Sequence, residues 1–403
     1  MPKRLTPLDL SIGERIRARR QLRGWSLRQA ADRAGIHYAT LSRIERGLAS
    51  ADNRFVLADI AAGLDCSVAE LTGAPSTSTD ANVIAARASV AAIRRSLVEA
   101  DFAMPSTCTP RPTRQLEREV ELVRALQTDL NYAGAGQYVP RLVRELHAAA
   151  AGPDRTTALR LAVFTGDVIV AMAKTTGYPA DAWLAAEWAW QAAEALADPV
   201  LLGFAAWSRT HAATGCGGYE RAHALATRAA DELQGHLSAP DALPMLGLLL
   251  LTSAHTAYAT KRKSQGADTY AEADRVAVRT GETTTFDQFF GPTNVAFWRV
   301  GSEVDGGNPD RAVQIVHATN PEVLAVPIRR VMFHLDASRA LMHVRRDQEA
   351  IRHLLTAERA GPQVIRPSPI AAETARNLLD RARRRAGGTE LRGLCERLGV
   401  ARR

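Results

Sequence analysis

Ser26-Leu-Arg-Gln-Ala-Ala-Asp-Arg-Ala-Gly35-Ile36-His-Tyr-Ala-Thr-Leu-Ser-Arg-Ile-Glu-Arg-Gly47 is the stretch that decides the fold. Ser26 and Gln29 have capping-box spacing, in which each side chain satisfies an orphan backbone N–H at a helix start. The helix they open runs to Gly35, where a turn of three to four residues leads into a second helix ending at Gly47. Two short helices joined this way have helix-turn-helix geometry. Ala30 and Ala31 permit close approach, and Ile36, Leu41 and Ile44 hold the second helix down. Tyr38, Ala39, Thr40 and Arg43 are left facing outward.

The neighbouring residues extend the pattern. Ser11/Glu14 and Ser67/Glu70 repeat the capping box. They predict helices near 12–22 and 68–71, with another near 54–62. The expected core comprises Ile12, Ile16, Leu27, Ala31, Ile36, Leu41, Ile44, Phe55, Leu57, Ile60, Leu64, Val68 and Leu71.

The phrases Leu41-Ser-Arg-Ile-Glu-Arg-Gly47 and Ser67-Val-Ala-Glu-Leu71 make residues 11–73 resemble the lambda-repressor-like (XRE) family. The resemblance implies a DNA-binding head with His37, Tyr38, Ala39, Thr40 and Arg43 towards the major groove. An arginine there can pair bidentately with guanine, and Ala39 or the Tyr38 ring suits a thymine methyl. The helix start at Ser26 and Leu27 can offer backbone N–H groups to phosphate. Arg46 and Arg54 are the expected flanking phosphate contacts. Arg20 and Glu45 match a family pair that forms a buried structural ion pair. The family often has polar amides where Tyr38 and Ala39 stand, so the operator does not carry over. The loop from Leu48 to Asn53 lacks the usual Pro-Ser.

The remaining composition sets bounds. The chain has 403 residues, 46% hydrophobic and 23% charged, an ordinary globular mix. Its net charge of +8 concentrates at the ends, at +4 over residues 1–73 and +6 over 376–403, around a body of −2. A basic head and tail point to a polyanionic partner. Cys66, Cys108, Cys216 and Cys395 form no metal-ligand pattern. No apolar segment follows the basic start, and the longest apolar run, Met245 to Leu251, is far short of a bilayer span. A reduced, cytoplasmic protein without membrane contact is expected. No phosphate loop, HExxH or GxSxG is present, so neither enzymatic activity nor a cofactor is expected.

Ala74 to Asn82 is rich in Pro, Ser and Thr and reads as a linker. Val83, Ala86, Val90, Ile93, Leu97 and Ala100 then form a short heptad stripe, read either as packing on its own chain or as a dimer contact. Pro105 to Pro112 breaks the chain again.

From Gln115 onward the pattern is helix after helix, with no alternating strands. Ala182, Ala222, Ala271, Ala312 and Ala350 recur near the starts of second helices. Gly218-Tyr-Glu-Arg-Ala-His-Ala-Leu-Ala resembles the second helix of a tetratricopeptide repeat, in long, degenerate form. Such repeats imply a stacked array whose first helices, near 156–175, 199–214, 241–260, 286–304 and 324–345, line a concave wall. Phe290-Gly-Pro-Thr-Asn-Val-Ala-Phe-Trp-Arg299 resembles a motif of XRE regulators with repeat-type C-terminal domains from high-GC Gram-positive bacteria.

The fold class expected is therefore all-α, with a five-helix lambda-repressor-like head over 1–73, a linker and connector helix over 74–114, and a tetratricopeptide-like α-solenoid over 115–403. The resemblance implies a regulator, homodimeric on double-stranded operator DNA, that responds to a small-molecule or peptide effector. Asn294, Trp298, Arg299, His255, Tyr258 and His334 are the candidate effector contacts. An array that docks a partner protein without any small ligand is the alternative. The tail from Arg381 to Arg385 reads either as a solvated terminal helix or as a further hold on DNA.

Overall fold

The structure, a computed structural model, describes residues 10–73, 80–104, 106, 108–383 and 389–400. Residues 74–79 of the linker expected over 74–82, residues 105 and 107 of the break expected over 105–112, and Arg384 and Arg385 of the basic tail lie outside the described residues. Ala81 and Asn82 are already helical rather than linker. The head contains α1 (Ile12–Leu22), α2 (Leu27–Arg33), α3 (Tyr38–Glu45), α4 (Arg54–Gly63) and α5 (Val68–Thr72). Next come α6 (Ala81–Glu99), α7 (Thr113–Thr128), α8 (Tyr132–Ala149), α9 (Arg155–Thr176), α10 (Pro179–Leu196), α11 (Pro199–Gly215), α12 (Tyr219–Gln234), α13 (Ala242–Ala259) and α14 (Lys263–Thr280). Two short strands, β1 (Thr283–Thr285) and β2 (Gln288–Phe290), precede α15 (Pro292–Asp305) and α16 (Pro309–Ala318). The chain continues through α17 (Pro327–His343), α18 (Asp347–Ala360), α19 (Pro362–Ile365), α20 (Pro369–Arg383) and α21 (Thr389–Arg397). The fold is all-α, apart from that one strand pair among the described residues.

These elements form two compact units. One contains residues 1–79, 300–319 and 330–403; the other contains 80–299 and 320–329. The head thus shares a unit with C-terminal helices.

Local chemistry explains the head. All three capping boxes form, at Ser11/Glu14, Ser26/Gln29 and Ser67/Glu70. Gly35 turns the chain between α2 and α3 at φ +60°, a conformation costly for a residue with a Cβ. The core contains Ile12, Ile16, Ala30, Ala31, Leu41, Ile44, Leu57, Ile60, Leu64 and Leu71, with Leu27, Ile36 and Val68 half-buried beside it. Ile370 of α20 packs against this core from the same unit.

In the second unit α9 is buried along most of its length, and so is α13. By length and composition both could cross a membrane, but 78% of each apolar window is buried inside the fold, as in core helices of a globular protein. The heptad stripe on α6 is buried from Val83 to Ala100. It faces α8, with α9 and α10 alongside. That choice of packing is settled in favour of its own chain.

The strand pair corrects the expectation of an uninterrupted helical body. Thr283, Thr284 and Thr285 pair antiparallel with Phe290, Phe289 and Gln288. β-Branched and aromatic residues favour extended backbone. Phe286 and Asp287 both have positive φ, +49° and +62°, as a tight two-residue hairpin turn requires. The helix expected from 286 therefore starts only at Pro292.

A second correction concerns the repeating small residues. Ala182, Ala222, Ala312 and Ala350 are each the fourth residue of their helix and are fully buried. Ala271 is exposed. Its place is taken by Gly266, fourth in α14, where a Cβ would come within 2.5 Å of the Tyr258 ring and 3.0 Å of the Ala254 carbonyl oxygen. The close approach of α13 there admits only glycine, which a search for alanine passes over.

Candidate nucleic-acid interface

His37 is the N-cap of α3, its Nδ1 accepting from the Ala39 backbone N–H at 3.2 Å. The next residues wind into helix with Leu41, Ser42, Ile44 and Glu45 inward. His37, Tyr38, Thr40, Arg43 and Arg46 are exposed and Ala39 is half-buried. Arg46 donates through Nε to the Ser42 carbonyl at 3.2 Å, closing the helix end. Five side chains of the kinds that read base edges or meet phosphate thus lie along one short helix.

A buried ion pair fixes the orientation of that helix. Arg20 of α1 donates to both carboxylate oxygens of Glu45, Nε and Nη2 each at 2.7 Å, and through Nη1 to the Trp25 carbonyl at 2.8 Å. The fork geometry holds α3 in both distance and rotation. Gly13 allows α1 to meet α3 closely: a Cβ there would fall 2.2 Å from the Ile44 carbonyl oxygen. Ser26 is exposed at the start of α2, and its capping box leaves the Leu27 and Arg28 amides without intrahelical acceptors.

Comparison with known families fits this geometry. The family model described as Helix-turn-helix matches residues 16–71. The head is a helix-turn-helix. The match supports a DNA-binding transcription regulator. No curated protein and no solved structure matches the chain.

Within the helix-turn-helix, Arg54 departs from its expected place against phosphate. Its guanidinium is bound by Asp305 (Nη1–Oδ2 3.0 Å) and Asp336 (Nη2–Oδ1 2.6 Å) in the same unit. Its backbone N–H donates to Asp305 Oδ1 at 2.9 Å. Fully buried Arg339 joins the same two aspartates and adds Asp52 of the head, which His343 Nε2 also meets at 3.1 Å. Burial alone would raise the Asp52 carboxyl; the His343 hydrogen bond and the Arg339 charge outweigh it and hold the group well below the usual carboxylate range. Asp305 and Asp336 stand 251 and 282 positions beyond Arg54, so nothing near Arg54 in the sequence reveals these partners.

The candidate effector contacts separate. Asn294 is fully buried and donates through Nδ2 to the Phe289 carbonyl at 2.6 Å, tying α15 to β2. Its Oδ1 accepts no hydrogen bond from the described residues. Arg299 pairs with Asp274 at 2.7 Å and lies near the Tyr270 ring, which Tyr258 also meets. His334 belongs to the other unit, where its Nδ1 is 2.9 Å from His353 Nδ1. Trp298 and His255 do meet, ring centroids 5.5 Å apart. They share a cluster with His211 and Arg329, which sequence reasoning missed, and with Trp207, which the sequence suggests only as inter-helix packing.

Proposed function

We propose that this chain is a cytoplasmic, sequence-specific transcription regulator that binds operator DNA as a homodimer. Residues 1–73 read the DNA, 74–114 connect, and 115–403, a degenerate tetratricopeptide-like array, sense a small molecule or peptide. The observation that carries the reading is α3, presenting His37, Tyr38, Thr40 and Arg43 outward on a helix locked by Arg20 and Glu45. Two such heads fit half-sites about one DNA turn apart, ~34 Å. Arg43 reads guanine, Tyr38 and Ala39 meet thymine methyls, and Ser26, Leu27 and Arg46 position the head on phosphates. Arg54 acts as scaffold.

Gel-shift titrations over a salt series test this. Arg43→Ala relaxes base preference at one position, while Arg46→Ala weakens all sequences and flattens the salt slope by about one. If both variants hold a selected operator as the parent does, the docking is wrong.

A further inference from the structure

Arg329 is a buried arginine without a carboxylate partner among the described residues. It lies in the second unit, 8% exposed. Among the described residues its guanidinium has a single, long polar contact, Nη2 to Gln288 Oε1 at 3.5 Å, and its Nε is buried without a partner. Burial pulls the guanidinium down to about 10, with only partial relief from the charge of Asp167. That carboxyl is itself engaged by Ser208 and Gln127. A cation taken out of water and left unpaired is costly, so its retention calls for a partner from elsewhere.

The surroundings say what kind of partner. The Arg329 guanidinium carbon lies 5.6 Å from the Trp298 ring centroid, 5.8 Å from Phe297 and 6.0 Å from Trp207. His211 links the two tryptophans, its ring 4.2 Å from Trp207 and 5.7 Å from Trp298. Both indole N–H groups are buried without acceptors among the described residues, and His211 Nε2 is likewise without a partner there. Lys174 Nζ approaches His211 Nδ1 at 3.4 Å. An ammonium can only donate, which makes Nδ1 the acceptor and places the imidazole proton on Nε2. Burial, and then the charges of Lys174 and Arg329, hold this histidine well below its usual range and therefore neutral. Four unsatisfied groups in one aromatic cluster are thus all donors, one of them charged.

From this geometry we infer that Arg329, Trp207, His211 and Trp298 form a binding site for a carboxylate carried on a planar apolar body. The carboxylate supplies the missing acceptors and the countercharge; the indole, Phe297 and His255 faces supply flat walls for the ring. A free aromatic acid and the C-terminus of a peptide ending in an aromatic residue share this chemistry. The assignment deepens the sensing role proposed above, but binding is measured without DNA, so the two stand or fall separately.

The test is calorimetric titration of the full chain with benzoate, benzamide, inorganic phosphate, and the dipeptide Gly-Phe as free acid and as amide. Saturable binding of benzoate or of free-acid Gly-Phe is expected, the tighter of the two identifying the source, with benzamide and the amidated dipeptide at least tenfold weaker. Arg329→Met removes the binding, and Trp207→Phe, which keeps a ring and deletes one donor, weakens it several-fold. Because it deletes an unpaired buried charge, Arg329→Met melts no lower than the parent, whereas a purely structural arginine would lower the melting temperature on replacement. Absence of binding by both acids, equal binding by benzamide, phosphate binding as tightly as benzoate, or binding unchanged in Arg329→Met each overturns the assignment. Benzoate binding that leaves operator affinity unchanged keeps the site and removes the sensing role.

Discussion

Arg20 and Glu45 show how one pair of residues shapes a whole recognition surface. Both side chains are mostly buried, at 12% and 4% exposure, so each depends on the other for its charge to be tolerated. Removing one partner leaves an uncompensated charge, at a cost of about 3 kcal/mol, whereas replacing both with apolar residues of similar size costs far less. Glu45→Ala is therefore expected to lower the stability of the head markedly, and the double change Arg20→Met with Glu45→Leu to restore most of it. Denaturant titration followed by hydrogen exchange in α1 and α3 measures both. Equal losses in the single and double variants would show that the pair contributes no coupling. This pair was legible in the sequence because its residues match a known motif and are 25 positions apart. Arg54 reads in the sequence as a phosphate contact like Arg46, but its partners are far away along the chain, and chemistry at that separation leaves no local mark.

At the scale of elements, the sequence announces helices through caps and periodicity, and their register against neighbours less well. The first helices expected near 199–214 and 241–260 occur as Pro199–Gly215 and Ala242–Ala259, since proline, aspartate and glycine punctuate their ends. The hairpin before α15 was missed because three threonines and two phenylalanines are too short a run to show alternation. Gly266 was missed because the small-residue rule concerns space, not alanine itself. A discriminating experiment follows from the clearance at that position. Gly266→Val drives a side chain into the Tyr258 ring and is expected to destabilise the second unit by about 1–3 kcal/mol. Ala271→Glu, on an exposed face, is expected to stay within about 0.5 kcal/mol of the parent. Thermal melts of the two variants that came out in the reverse order would restore Ala271 as the packing residue.

At the scale of the chain, the unit containing the head is held by charges that local folding does not bring together. Asp52, Arg54, Asp305, Asp336, Arg339 and His343 join the start of α4 to α15 and α17. Arg339→Met takes one cation from three carboxylates, leaving Asp305 and Asp336 to Arg54 and Asp52 to His343, and is expected to cost about 3–5 kcal/mol, read as faster hydrogen exchange in α4 and α17 together. The same unit carries its own pH dependence, in two windows. Burial, and then the neighbouring His334, lower His353 to about 4. An unfolded histidine takes its proton near 6.5, so between about 6.5 and 4 the unfolded chain binds more protons and stability falls as pH falls. Asp52 and Asp336 are also held below their ordinary range: burial opposes this, but His343 and Arg339 act on the first, and Arg54 and Arg339 on the second. Their contribution is complete above the unfolded carboxylate pKa near 4 and is lost below it. Protection of the α17 amides is thus expected to decline gently from pH 6.5 to 4 and more steeply below. His353→Phe should flatten the upper window alone, and Asp52→Asn the lower one. Protection that rises as pH falls from 6.5 to 4 would mean that His353 gains its proton more readily in the folded chain, contrary to its burial beside His334.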